Sequence, residues 1–471
     1  MSRRAKLVCT VGPATETPER LRELLDAGAD VVRVNLSHGT SDDHARMVGL
    51  VREAERSCGR DIAIMADLPG PKIRLGDLPS GSVRLQPGER FVLSGGAGGD
   101  ASSATVSYPG LANDVRAEDR ILLSDGAVEL VVRSAGGSDV ATEVVRGGTL
   151  RSGAGVNVPA ERLSLPAITP RDREGLARAL DLGVDLVAQS FVRHAADVIG
   201  LRALMGEREV PIVAKIETRP AVEDVEAILE QADALMVARG DLGVELPMEE
   251  IPVLQKEMLR SARTVGKPAI VATQMLESMI RAPRPTRAEA SDVANAVLDG
   301  ADAIMLSGET AIGEYPIEAA LAAARIAEVA EERAGEFRRV AETRRHADEA
   351  AAVAHAAAQV AAGDPAVVAI ACFTRTGRTA ALLSSERPSA PIYAFIPDAG
   401  IRRAMALRWG VRCLPAGDPE DTDTMIALME RGLREAGLAA EGNSVVMVAS
   451  SPAGKVHTNM LKVHQVGELP G

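Results

Sequence analysis

Eight short apolar bursts, each closing on small or polar residues, constrain this chain more than any other feature. They span 6–12, 31–37, 62–68, 185–192, 211–217, 233–240, 268–273 and 303–308. Nearly all are followed by a stretch with helical periodicity. Between the last two, Thr286 and Glu289 form a hydroxyl-carboxylate capping box that starts such a helix. Buried strands alternating with helices predict a parallel α/β scaffold, and the count of eight matches a (β/α)8 TIM barrel. A doubly wound sheet accommodates the alternation but does not require the count.

The third and fourth bursts lie too far apart for an ordinary crossover. The stretch between them is rich in Gly, Val and Ser, with short alternating patches at 82–85 and 127–132 and a turn signal at Asp125-Gly126. It reads as a small all-β domain inserted into the barrel, with Pro69, Pro71, Pro159 and Pro166 stiffening its two connections as a hinged lid requires. After Pro316 a long Ala- and Arg-rich helical stretch runs to about residue 362. Strands are expected near 366–373, 392–395 and 444–448, alternating with helices in a smaller α/β unit. The expected division is 1–70 with 166–335 for the barrel, 71–165 for the inserted lid, and 336–471 for the C-terminal domain.

With 471 residues and 46% apolar content, three cores can be filled, although aromatics at 2% leave that work to Ala, Val, Leu and Ile. The formal charge of −13 argues against a nucleic-acid or anionic-membrane partner. Cys9, Cys58, Cys372 and Cys413 lack metal or disulfide spacing. No run is long and apolar enough to span a bilayer, and the N-terminus passes directly into a strand. A cytoplasmic enzyme is the expectation.

In a barrel of this kind chemistry sits at the C-terminal ends of the strands. The polar residues there include Arg33, Asn35, Ser37 and His38; Asp67; Ser190 and Arg193; Lys215 and Glu217; Arg239 and Asp241; Thr273; Ser307 and Glu309. Lys215 and Glu217 are two apart and share a face. With Asp241 they suit a hard divalent cation and a positive charge beside a phosphoryl group in flight. The alternative is an ordinary Lys–Glu ion pair near a solvated aspartate. Arg33, Asn35 and Ser37 suit oxyanions or a monovalent cation, or else form a strand edge with a satisfied turn. Gly240 offers backbone N–H to a small carboxylate, or serves only its turn.

The blocks RVNLSHG, DLPGPKIR, SFVR, AKIET, VARGDLGVE, ATQMLESM, PRPTRAE and SGETA, in this order, make the chain resemble the pyruvate kinase family from about residue 4 to residue 466. The resemblance implies transfer of the phosphoryl group of phosphoenolpyruvate to ADP, giving pyruvate and ATP. It places Glu217 and Asp241 on Mg²⁺, with Mn²⁺ as an alternative, and Lys215 and Arg33 on the phosphoryl group. Thr273, Gly240 and Asp241 fall on the substrate carboxylate, and Thr273 with Ser307 on the water chain that protonates the enolate. Asn35, His38, Arg74 and Asp125 face the nucleotide. A homotetramer is implied as well.

Two departures from the family pattern carry expectations. Lys72 stands where many members have glutamate, and Leu68 where they have threonine. The glutamate form goes with K⁺ held near Asn35, Ser37 and Asp67, so the Lys72 ammonium is expected to replace K⁺. Ala154 stands where members often carry a lysine that contacts nucleotide phosphate. In the C-terminal part, Thr374-Arg375-Thr376-Gly377-Arg378-Thr379 lies between a strand and a helix and offers a phosphate cradle. It resembles the family's effector loop for a phosphorylated sugar or nucleotide, over which Lys455 and His457 would close. The rivals are an aldolase or mutase barrel acting on phosphoenolpyruvate or pyruvate, and a non-catalytic effector-binding protein. A lid and a C-terminal domain are needed by neither barrel rival.

Overall fold

All eight bursts become strands of one closed parallel barrel. In the computed structural model, which describes residues 3–96, 100, 102–124, 126–337, 348–451 and 457–468, they are Lys6–Thr10, Val31–Asn35, Ala63–Leu68, Leu186–Val192, Ile212–Ile216, Ala234–Ala238, Ala269–Ala272 and Ala303–Leu306. Consecutive strands pair in parallel, and the first closes onto the eighth with Lys6 opposite Ala303. Six of the strands end one or two residues before their bursts do, because the closing polar residues turn away into loops, and the third and fourth end with theirs. Strand alternation sorts the apolar residues into two layers. Val8, Met65, Val213, Met236 and Met305 fill the barrel interior, while Leu7, Ile64, Ile212 and Val237 face the helices. Leu407, from the C-terminal part of the chain, is buried with the interior set.

Between the third and fourth barrel strands the chain forms a seven-stranded sheet and a two-stranded one around a core that includes Phe91, Leu93, Leu130 and Val140. Gly126 turns at φ 84° between the antiparallel strands Arg120–Leu123 and Val128–Gly136. Asp125 lies outside the described residues. The C-terminal part is a five-stranded sheet in the order Val411–Pro415, Ile392–Ile396, Val367–Phe373, Ser444–Ala449 and Met460–Gln465, parallel except for the last strand. The two strands beyond the expected three are its edges. One closes on Pro415, and the other, MLKVHQ, is mostly polar or half-exposed, so neither shows as an apolar burst. The helix Pro316–Phe337 carries the chain past the expected division at residue 335.

Candidate active site

One residue from each of the first five barrel strands meets at the C-terminal mouth. Asp67, 1% exposed, is the hub. Its Oδ2 accepts from Arg33 Nε (2.6 Å), and its Oδ1 from Lys215 Nζ (3.2 Å) and Ser190 Oγ (3.3 Å). Arg33 Nη1 also donates to Thr10 Oγ1 (3.0 Å), and Lys215 Nζ to Ser190 Oγ (2.7 Å). Glu217, just past the fifth strand, places Oε1 2.9 Å from Lys215 Nζ. Two cations and two carboxylates are thus held away from water, which is tolerable only because every one is paired.

The electrostatics follow from that pairing. Burial works to raise the Asp67 carboxyl, but Lys215 and Arg33 together hold it below the usual carboxylate range. Burial likewise opposes charge on Lys215, yet Asp67 and Glu217 outweigh it and keep the ammonium protonated beyond the ordinary lysine range. Glu217 goes the other way. Burial pushes it up to about 7, against the pull of Lys215 and with repulsion from Asp241 added. Two carboxylates that repel each other at a barrel mouth make a hard-oxygen donor pair, a chemistry that suits a divalent cation keeping several waters. Among the described residues no group of three or more His, Cys, Asp or Glu converges as a metal cage. Such a cation would therefore complete its shell with water and substrate oxygens.

Strained backbone also shapes the strand ends. Phe191 sits at φ 53°, and this rare aromatic conformation turns its N–H onto Glu217 Oε2 (2.9 Å). Thr273 and Gln274 both have positive φ, 71° and 54°. Arg239, clamped at 2.7 Å by both oxygens of Asp292, donates to Thr273 O (2.9 Å). Gly240 N–H meets Thr273 Oγ1 at 2.6 Å. Buried Glu309 accepts from Leu276 N (3.0 Å) and Ser307 N (2.7 Å), fixing the loops after the last two strands.

The structure thus brings Arg33, Asp67, Lys215 and Glu217 together, with Asp241 and Thr273 beside them on the adjoining strand ends. Asn35 and Ser37 are not on one extended face: the strand stops at Asn35, whose Oδ1 accepts from Ser37 N (3.0 Å). His38 is exposed, and its carbonyl meets His44 Nε2 (2.7 Å). Arg74 is exposed on the inserted domain and donates to Gly153 O (3.1 Å). Lys72 Nζ lies 3.9 Å from Asp241 Oδ1, and no hydrogen bond or ion pair joins it to Asn35, Ser37 or Asp67. In the C-terminal loop Thr374 Oγ1 accepts from Gly377 N (3.1 Å), Arg375 pairs with Asp418 (2.7 Å), and Arg378 pairs with Asp348. Thr376 Oγ1 accepts from Arg378 N at 3.4 Å, and Thr379 Oγ1 meets Thr458 Oγ1 at 2.6 Å. Lys455 lies outside the described residues, and His457 is exposed.

Sequence reasoning missed the central place of Asp67 and the roles of Ser190 and Glu309. The available signal was a lone carboxylate in the apolar run AIMADL, buried at every position. A further acid missed there is Glu245, where the inserted domain meets the barrel, in the lining of a cavity of about 30 Å³ with Lys72, Phe191 and Arg193. Burial pushes Glu245 up to about 7, against the backbone N–H groups of Arg219 and Ala160. An acid raised in the folded state favours folding fully at low pH and loses that contribution as pH rises from its unfolded value to about 7. Glu245→Gln should therefore gain on the parent by roughly 1–3 kcal/mol between pH 5 and pH 8. A melting-temperature difference that stays flat over that range would contradict this.

A closed barrel with an inserted β domain, a C-terminal α/β domain and a buried lysine-carboxylate site at its mouth fits a barrel phosphotransferase. Residues 2–320 match the family model "Pyruvate kinase, barrel domain" and residues 351–464 match "Pyruvate kinase, alpha/beta domain". The chain belongs to the pyruvate kinase family. It is 44% identical over 475 residues to a pyruvate kinase of Mycobacterium tuberculosis, covering 99% of each chain. It is 41% identical to one of Geobacillus stearothermophilus, covering all of this chain and 81% of the other. A crystal structure of a pyruvate kinase from Cryptosporidium parvum superposes with a TM-score of 0.90 at 32% identity, covering 98% of this chain and 96% of that one.

Proposed function

We propose that this chain catalyses transfer of the phosphoryl group of phosphoenolpyruvate to ADP. The observation that carries the reading is the buried Arg33–Asp67–Lys215–Glu217 constellation, in a chain that matches the family along nearly its whole length. In this reading the P–O bond of phosphoenolpyruvate breaks, a terminal phosphate oxygen of ADP forms the new P–O bond, and the electron pair left behind gives an enolate. Lys215 and Arg33 face the moving phosphoryl charge from positions already fixed by Asp67, so little reorganisation accompanies the reaction. Glu217 and Asp241 would hold Mg²⁺, or Mn²⁺ in its place, which neutralises phosphoryl and carboxylate oxygens when bound. Thr273 and the N–H groups of Gly240 and Asp241 hold the substrate carboxylate, the Gly240 N–H exchanging its Thr273 partner for it. Thr273 and Ser307 order the water that delivers a proton to the methylene carbon. Asn35, His38, Arg74 and Asp125 face the nucleotide.

Lys72 supplies a positive charge beside Asp241 that replaces K⁺, so the enzyme works without that ion. Residues 71–165 act as the lid over 1–70 with 166–335, and 336–471 as the regulatory unit. Thr374 to Thr379 bind a phosphorylated sugar or nucleotide. The enzyme is cytoplasmic and homotetrameric, the latter to be read by sedimentation. In support of a non-membrane setting, no helix among the described residues is long and apolar enough to cross a membrane.

The test is pyruvate formation from phosphoenolpyruvate and ADP with Mg²⁺, in Tris or Na⁺ buffer, with and without K⁺. Full activity without K⁺ is expected, and no activity in either buffer overturns the reading. Sugar phosphates and AMP should shift the phosphoenolpyruvate saturation curve, and Arg378→Ala should abolish the shift. A curve that none of them moves removes the regulatory role.

A further inference from the structure

The second connection between the inserted domain and the barrel is gripped from both sides. On the inserted-domain side, Arg162 Nη1 reaches Asp119 Oδ2 (2.7 Å), and Ser164 donates to Asp114 through its N–H (2.8 Å) and Oγ (2.8 Å). Asp114 is steadied in turn by Tyr108 Oη at 2.5 Å. On the barrel side, Arg193 Nη1 donates to Leu163 O (2.6 Å) and Nη2 to Leu165 O (2.8 Å). Alternate residues of one strap thus hold the inserted domain, while the carbonyls between and after them fill the two prongs of one guanidinium. A planar fork offers two separate nitrogens at a fixed spacing to the two carbonyls, which the single nitrogen of an ammonium does not reproduce.

Arg193 is itself fixed. Its backbone N–H donates to Asp197 Oδ2 (2.9 Å), and its Nε lies 3.9 Å from the same oxygen, at the start of the helix Ala195–Met205. Three residues earlier Ser190 receives Lys215, and two earlier Phe191 gives its N–H to Glu217. One run of four residues therefore touches the phosphoryl-transfer lysine, the metal-facing carboxylate and the strap.

We propose that Arg193 is a positioning residue that sets the stance of the lid over the barrel mouth and ties it to the strand end that orients Lys215 and Glu217. The proposal rests on the phosphoryl-transfer reading above, in which the lid carries part of the nucleotide site. Arg193→Met should raise KM for ADP roughly tenfold and lower kcat by a similar factor, with KM for phosphoenolpyruvate within about threefold of the parent. Arg193→Lys should fall between the two, since it keeps the charge but its single nitrogen does not match the spacing of the two carbonyls. Asp114→Ala cuts the strap from the other side and should give the same ADP-weighted pattern, and the double variant should be little worse than the worse single one.

Two results would overturn the proposal: parent-like constants in Arg193→Met, or equal rises in both KM values with Arg193→Lys no better than Met. If the parent itself forms no pyruvate, the reaction reading fails. Amide hydrogen exchange, which needs no turnover, then decides the proposal alone. Arg193→Lys and Asp114→Ala should both speed exchange across 158–166 and at Phe191, and unchanged exchange there sinks it.

Discussion

Replacing Lys215 with methionine should lower kcat by on the order of 10²-fold or more at saturating phosphoenolpyruvate, ADP and Mg²⁺. Methionine keeps most of the side-chain length and apolar bulk but removes the charge. In the parent that charge is fixed by three partners, Asp67, Ser190 and Glu217, at 3.2, 2.7 and 2.9 Å. It is therefore aimed before substrate arrives, and it stays protonated through the whole neutral range because Asp67 and Glu217 outweigh its burial. Arg33 remains in the variant and keeps a second positive group near the phosphoryl path, so activity should be reduced and not abolished. The substitution also strands Asp67 and Glu217 as buried carboxylates with one cation fewer, so the variant should melt earlier. Mg²⁺ should recover part of that loss through Glu217. A variant with a normal kcat would remove Lys215 from the chemistry. One that melts early but turns over normally would reduce it to a structural ion pair.

The barrel was legible because its signal is local. A buried parallel strand is a continuous apolar run, and eight of them survive an unaided reading with errors only at their ends. The strand-end lysine and its acid were legible too, since Lys215 and Glu217 sit two apart across the end of one strand and need no tertiary knowledge to meet. The hub was not. Asp67 meets Lys215 and Ser190 only when the third, fourth and fifth strands lie side by side, which a string of residues 148 positions apart does not display. Phe191 was illegible for another reason. Its left-handed backbone runs against the preference of an aromatic residue, and the N–H it presents near the strand end goes to Glu217, a partner 26 positions away. The edge strands Val411–Pro415 and Met460–Gln465 escaped because an edge carries polar residues that blur alternation. Lys72 was recognisable as a departure, but the direction of its side chain was not.

That direction governs the second large effect. Lys72→Glu should lower activity in Tris or Na⁺ buffer by on the order of 10²-fold, and added K⁺ should restore most of it. The backbone at this position is set by its turn: Gly70 lies at φ 68° with its N–H on Asp172 Oδ1 (3.0 Å), and Lys72 N–H donates to Gly70 O (2.9 Å). The ammonium points across the first connection to the inserted domain toward Asp241 Oδ1, 3.9 Å away. No hydrogen bond or ion pair joins it to Asn35 or Ser37, and its charge reaches the mouth from the inserted-domain side. A glutamate there would put a third carboxylate beside Asp241 and Glu217, a local change of two charge units, one of which a monovalent cation bound against that carboxylate can offset. Lys72→Gln, which removes charge without adding any, should give a smaller loss and a weaker K⁺ response. Unchanged activity of Lys72→Glu without K⁺ would show that the ammonium supplies no charge the reaction uses. A loss that K⁺ fails to repair would show that the charge matters but that this site does not accept the ion in its place.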